Sequence, residues 1–345
     1  MRSRPKTLVT IVAAALLAGC AGTRGAGAPA GSEAAKPPAK GAAAPAPSTS
    51  PVPNLIPLMP DFWAFWDRAE GKPPAERVAL LKEVAIAPHR TFYEKITGVP
   101  SDERLTQFID MLGPAIPALK RIEQEFREQM PGAYATFLAA HPDLDRTLPI
   151  YVGPSLFSSS GQVRDLDGTT IVFYGLDVMA VVLADTTDHR PDIHHELFHA
   201  YHWQRNPRIA AATRDSFEKT RTTPLYNDLW IEGLAEYEAR RLNPNAPLET
   251  VLASKELPVK GPLVLATVAG ELRQKIDGTD IDDVGDYFFF HTRRADLPSR
   301  SAYYVGLRLA DEVAKTHTLD QMIALDGPAL RQVVDEGLRA LESQR

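Results

Sequence analysis

Two histidines four positions apart, His195 and His199, enclose Glu196 in the pattern His-Glu-any-any-His. On a helix, four residues make about one turn and rise about 6 Å, so both imidazoles would lie on one face and reach one ion. Two nitrogen ligands at this spacing suit tetrahedral zinc. Glu196 would be rotated off that face by about 100°, where it can hold a water molecule rather than the metal. The pattern therefore predicts a zinc site with a general base beside it; the alternative is a chance meeting on an amphipathic helix.

The surrounding residues predict the helix that must carry this pattern. The half of the helical wheel opposite the two histidines is apolar, as a core-facing stripe would be. Its members are Ile193, Leu197, Ala200 and Tyr201. Pro191 stands where a first helical turn tolerates proline, and Asn206-Pro207 would end the helix.

A catalytic zinc site needs a third protein ligand, and two residues are candidates. His202 lies on the same helical face as His195 but two turns away, about 10 Å along the axis, so it cannot easily reach the same ion. We interpret His202 as a residue of the outer shell or the rim. Glu232 is the better candidate, in a predicted helix that Asn227 or Asp228 would cap.

The helix of Glu232 has further features of a metal site. Glu236 follows four residues later on the same face, and Gly233 would allow this helix and the helix of His195 and His199 to approach closely. The alternative is a solvated acidic face, on which Glu232, Glu236 and Glu238 point to water.

Taken together, His195–His199 (HELFH) and Trp230–Tyr237 (WIEGLAEY) resemble the gluzincins, specifically the peptidase-MA-like group, in which HExxH is followed some tens of residues later by E-G-x-A. The resemblance implies a zincin-like fold in which the two histidines and Glu232 bind Zn²⁺. It implies that Glu236 accepts the outer ring N–H of a zinc histidine and fixes its tautomer. In such peptidases an edge strand before the zinc helix pairs with extended substrate backbone.

A later segment, Ser299–Leu307, predicts another helix with Ser299 as its cap. It is similar to a Gly-Tyr-x-x-Gly helix of the same group, with Ala302 in place of the first glycine. By that similarity Tyr303, or its neighbour Tyr304, would supply the phenol that stabilises the oxyanion of a tetrahedral intermediate. The alternative is that both tyrosines are core aromatics.

The whole chain predicts an α+β fold that is mostly helical. Pro74 to about Leu144 shows helical periodicity with Gly and Pro punctuation and predicts three to five helices, within a helical N-terminal region of residues 54–146. Within it, Asn54–Trp66 is an aromatic cluster that predicts core or a domain seam, with a peptide-binding groove as the alternative. His89 and His141 are isolated, as surface or capping histidines are.

Residues 147–345 would form the zincin-like domain, with a small mixed sheet before the active-site helix. Leu148–Val152 and Thr169–Tyr174 predict two strands separated by a Ser/Gly/Asp-rich connection. Val178–Leu183 fits a strand or a short helix equally well. Farther on, the sequence predicts a covering helix, a core segment and closing helices at Leu263–Ile276, Tyr287–Phe290 and Leu319–Leu341, with His291 a candidate for substrate contact.

The first twenty residues predict a secretory signal, because Arg2, Arg4 and Lys6 precede a short apolar run. The run ends in Leu-Ala-Gly-Cys, which resembles the lipobox of bacterial lipoproteins and implies a lipid on Cys20, the one cysteine of the chain. Ala21 after that cysteine is similar to an outer-membrane address. Residues 21–53 are rich in Ala, Pro and Gly and predict a disordered tether.

These observations predict a lipid-anchored zinc metallopeptidase of the cell envelope, acting on a peptide or protein substrate. The formal net charge of −6, without basic clusters, argues against nucleic acid as a partner. Two alternatives stay open: a non-catalytic zinc-binding or scaffold lipoprotein of the same fold, and a zinc hydrolase of a non-peptide amide such as cell-wall material. Glu196 favours an enzyme, since structural zinc needs ligands but no adjacent base.

Overall fold

The computed structural model describes residues 52–214, 216, 221–290 and 292–344. Cys20, the predicted signal peptide and most of the predicted tether lie outside the described residues, as does His291. In the part of the chain that is described, no helix is both long enough and apolar enough to cross a bilayer.

The architecture is α+β and mostly helical, as predicted, with one small mixed sheet. Its strands are β1 (Leu55–Pro57), β2 (Ile150–Gly153), β3 (Gly161–Leu166) and β4 (Thr169–Gly175). They lie in the order β1-β2-β4-β3. All neighbours are parallel except β3, which runs antiparallel to β4.

The two predicted strands are confirmed in β2 and β4, but the prediction of a plain connection between them is wrong. Gly161–Leu166 forms β3, which pairs with β4 from Gly161 opposite Tyr174 to Leu166 opposite Thr169. Asp167 and Gly168 close this hairpin with φ of 54° and 84°. Two left-handed residues in a two-residue loop match the twist of a hairpin.

Besides the three-residue α-helix Arg90–Phe92, four longer α-helices precede β2 in the described residues: α1 (Met59–Ala69), α2 (Pro74–Leu80), α3 (Asp102–Leu112) and α4 (Ile116–Ala140). Between α2 and α3 the chain continues through π-helical and 3₁₀-helical turns as far as Thr97. The N-terminal region also contributes β1, a strand that its helical periodicity gave no reason to expect. The aromatic cluster is core, since Phe62 and Phe65 are fully buried in α1.

Ten helices follow the sheet in the described residues. They are α5 (Leu176–Val182), α6 (Arg190–Arg205), α7 (Pro207–Thr213), α8 (Leu225–Leu242), α9 (Leu248–Val251), α10 (Leu257–Gln274), α11 (Ile281–Phe288), α12 (Ser301–Val313), α13 (Leu319–Ile323) and α14 (Gly327–Glu342). α5 settles the open alternative for Val178–Leu183 in favour of a helix. α6 packs against α4, the sheet and α8, and α8 packs against α12.

Candidate metal centre

The helix of the His-Glu-any-any-His pattern, α6, is fixed from behind by polar contacts as well as apolar packing. Its predicted stripe is buried, with Ile193 and Leu197 fully enclosed. The Tyr174 hydroxyl donates a hydrogen bond to the carbonyl of Ile193 at 2.9 Å. His194 Nε2 donates to the carbonyl of Ala133 at 2.9 Å, and its Nδ1 accepts from Asn243 Nδ2 at 2.7 Å. Burial lowers the pKa of His194, which keeps it neutral for these two roles.

A second contact connects the N-terminal helices to α8. His141 is the C-cap of α4, as the capping alternative predicted, but it is buried and does not lie at the surface. Its Nε2 lies 2.7 Å from Glu238 Oε1, and Glu238 is fully buried. The solvated acidic face considered for α8 is therefore absent at this residue.

Three side chains from α6 and α8 converge on one point. His195 Nε2 and His199 Nε2 are 2.9 Å apart, and they lie 3.3 Å and 3.5 Å from Glu232 Oε2. Ligand atoms that each lie about 2.0–2.1 Å from a tetrahedral ion would be roughly 3.3–3.4 Å from one another, close to the three distances observed here. Among the described residues, this group of His195, His199 and Glu232 could hold a metal ion.

The electrostatics of the three residues agree with a cation site. Burial alone would raise the pKa of Glu232, but His199 and His195 lower it overall, so the carboxyl stays ionised. Burial lowers the pKa of His195, and the charge of His199 adds to this effect. Burial opposes the charged form of His199 as well, yet the neighbouring Glu232 raises its pKa overall. An anionic oxygen beside two imidazoles is a donor set that divalent metals prefer.

Glu196 lies beside this group and against the first residue of β3, with its Oε2 atom buried. Burial raises its pKa to about 8, against the opposing effect of His199. A Cβ atom placed on Gly161, the first residue of β3, would lie 2.7 Å from the Glu196 carboxyl carbon. The glycine therefore makes room for the carboxylate at the edge strand, where a base and an extended chain could meet.

The predicted partner of a metal histidine is also near. Glu236 Oε1 lies 3.7 Å from His195 Nδ1, within ion-pair reach but beyond a hydrogen bond. Glu236 is 1% exposed, and burial raises its pKa well above the usual range against the effect of Arg300. Arg300 Nη2 lies 3.8 Å from the same carboxylate oxygen.

Tyr303 and Tyr304 take different places, which answers the question that the sequence left open. The ring of Tyr303 lies 6.3 Å from that of His195, centroid to centroid, and nearly parallel to it. Burial and the charge of Glu232 raise the pKa of the Tyr303 phenol well above its usual value. Tyr304 turns away, into the packing against Gly261, where a Cβ would lie 2.7 Å from its ring.

α8 and α12 cross where Gly233 meets Gly306, and the absence of side chains at this crossing sets the distance between the two helices. A Cβ placed on Gly233 would lie 2.5 Å from the Cα of Gly306, and one on Gly306 would lie 2.8 Å from the Cα of Gly233. Gly233 therefore does permit close helix packing, but its partner is α12 and not the histidine helix. Glu232 and Tyr303 lie next to this crossing, one on each helix.

Other predicted residues lie elsewhere. His202 is fully buried, burial lowers its pKa to about 3, and it does not belong to the ligand group. α8 begins at Leu225 after Pro224, so Asn227 and Asp228 lie inside its first turn and do not cap it. The residue that precedes α12 is Arg300 and not Ser299.

The sequence reasoning missed two residues of the site, Gly161 and Arg300. Asp167-Gly168 is a hairpin signal that would have predicted β3 and with it the position of Gly161. Arg300 left no such signal, because its contacts come from residues far away in the chain.

In comparisons with known proteins, no family model, no curated protein and no solved structure matches this chain.

Proposed function

We propose that this chain is a zinc metallopeptidase, held at the bacterial cell envelope by a lipid on Cys20. The observation that carries the proposal is the convergence of His195, His199 and Glu232, whose ligand atoms lie 2.9–3.5 Å apart, beside Glu196. A purely structural metal site would need the ligands but not the base. The resemblance in sequence to the gluzincins supports the same reaction.

The residues of the site divide the work of amide hydrolysis. Bound zinc would supply a Lewis acid that activates water and polarises the scissile carbonyl. Glu196 accepts the proton of the attacking water and delivers it to the departing amine. Tyr303 donates a hydrogen bond to the oxygen that gains negative charge.

The substrate would lie along β3. This strand is at the edge of the sheet, next to Glu196, and an extended peptide could pair along its outer side. The lipobox-like Leu17-Ala18-Gly19-Cys20 supports membrane attachment, and Ala21 supports an outer-membrane location with the site on the periplasmic face.

Metal content and hydrolysis of the full-length chain, purified in detergent, test the proposal. We expect about one zinc per chain in the wild type and in Glu196→Gln, and far weaker retention in Glu232→Gln, which loses the anionic ligand. Hydrolysis of a peptide library should fall by at least about 10³-fold in Glu196→Gln, since the general base is lost while the metal stays.

Each alternative has its own result in this experiment. Activity confined to cell-wall fragments would replace the peptide by a non-peptide amide as substrate. Full zinc content without hydrolysis of either substrate class would support a binding or scaffold lipoprotein. Equal zinc retention in Glu232→Gln and wild type would show that the third ligand is assigned incorrectly.

A further inference from the structure

Arg300 is a buried cation whose backbone has an unusual conformation. It directly precedes α12 with φ 59° and ψ 30°, in the left-handed region that side-chain-bearing residues rarely adopt. The residue is only 8% exposed. Strain of this kind persists where surrounding contacts fix the residue, and it is common at functional sites.

The guanidinium of Arg300 is held on several sides. Its Nη1 donates a hydrogen bond to the carbonyl of Leu252 at 3.0 Å. Its central carbon lies 3.9 Å from the ring centroid of Tyr303 and 4.8 Å from that of Phe290. Its Nη2 lies 3.8 Å from Glu236 Oε1, the carboxylate next to His195 Nδ1. One planar group thus contacts both the phenol and the acid of the candidate site.

We propose that Arg300 is a positioning residue with two effects. It holds Glu236 toward His195, and it holds the Tyr303 ring beside the candidate metal site. The inference rests on the proposed function and adds to it a residue that touches neither the metal nor the substrate. A flat guanidinium can stack on a ring with its face while its edge donates to Leu252 and attracts Glu236. A lysine ammonium is a point charge and cannot make all these contacts from one position.

The first experiment measures zinc affinity of the full-length chain by competition with a chelator. Arg300→Met should weaken zinc binding about tenfold, because partners of metal histidines affect affinity by about 10- to 100-fold. The same substitution in a Glu236→Gln background should add little, since Arg300 acts on the metal through that carboxylate. Arg308→Met on the same helix is the matched control, because Arg308 lies beside Tyr304 and not Tyr303.

The second experiment measures peptide hydrolysis by the same variants. Arg300→Met and Arg300→Lys should lower kcat about tenfold or more with KM nearly unchanged, and should add little to the loss in Tyr303→Phe. The positioning role would be contradicted if Arg300→Met left zinc affinity unaltered. It would also be contradicted if the losses of zinc affinity and of kcat in the double variants with Glu236→Gln and Tyr303→Phe equalled the products of the single losses. A wild-type chain that binds no zinc would contradict the proposed function itself, and this inference with it. Wild-type zinc binding with multiplying losses would contradict the role of Arg300 alone.

Discussion

The three glutamates of the candidate site differ in the groups that surround their carboxyl oxygens, and their pKa values are shifted in different directions. The imidazoles keep the pKa of Glu232 low, whereas burial raises the pKa values of Glu196 and Glu236. Carboxyl groups whose pKa values are separated in this way can take different roles, one as a ligand and another as a proton carrier. The distances support that division, since the oxygen nearest to both histidine Nε2 atoms belongs to Glu232.

The different positions of the two tyrosines predict that loss of the Tyr303 hydroxyl lowers activity and loss of the Tyr304 hydroxyl does not. Tyr303→Phe should lower kcat by about 10²- to 10³-fold, as loss of one oxyanion donor does, and leave zinc content unchanged. Peptide hydrolysis measured beside metal analysis would check both parts. Tyr304→Phe is the control, because its hydroxyl lies 3.5 Å from Arg308 and away from the ligands. Equal losses in the two variants would contradict the assignment of Tyr303.

At the scale of elements, the site depends on where three helices lie relative to β3. α6 supplies the two histidines and Glu196, α8 supplies Glu232 and Glu236, and α12 supplies Tyr303. The spacing between α8 and α12 has little freedom, since the backbones meet at Gly233 and Gly306.

A methyl group at this crossing should therefore destabilise the protein. Gly233→Ala should lower the free energy of unfolding by about 1–3 kcal/mol, the usual cost of overpacking, because backbone atoms of α12 cannot rotate out of the way. Gly132→Ala in α4 is the matched control, since a Cβ there meets open space. That control should gain roughly 0.5–1 kcal/mol from helix propensity. Urea unfolding of both variants measures the difference, and a stable Gly233→Ala would refute the tight crossing.

At the scale of the whole molecule, buried charges connect the N-terminal helices to α6. His189 is fully buried, with its Nε2 3.2 Å from Glu125 Oε2 of α4 and its Nδ1 3.8 Å from Asp192 Oδ2 of α6. Burial alone would lower the pKa of His189, but the two carboxylates raise it overall.

This raised pKa predicts a pH-dependent stability. The contribution of His189 is complete below the unfolded pKa of about 6.5 and is lost as pH rises through the higher folded pKa. The free energy of unfolding should therefore fall across that range, by about 1.4 kcal/mol for each unit by which the pKa is raised. Denaturation from pH 5.5 to 8.5 should show a shallower fall in His189→Gln than in wild type. The control is His317→Gln, which removes a histidine that hydrogen-bonds Thr316, and an unchanged slope in His189→Gln would contradict the prediction.

The sequence predicted features that depend on local spacing. His195 and His199 share a face because of the helical repeat, and β4 is rich in β-branched residues, so both were found. β3 was missed because Gly161–Leu166 has few such residues, and its pairing with β4 supplies what its composition lacks. Gly233 was recognised as a close-approach residue but given the wrong partner, because Gly306 is far away in sequence. Arg300 contacts Leu252 and Glu236, and no local pattern encodes such contacts.

The parallel pairing of β1 with β2 limits which segment of the gene could transfer this site to another protein by recombination. Leu55 pairs with Ile150 at the start of the sheet, and the carbonyl of Ala133 accepts from His194 on the histidine helix. A gene segment that encoded only residues 147–345 would omit a strand, the acceptor for His194 and the partner of Glu238. Recombination that moves this site intact must therefore carry the N-terminal helices with it, as one inherited unit.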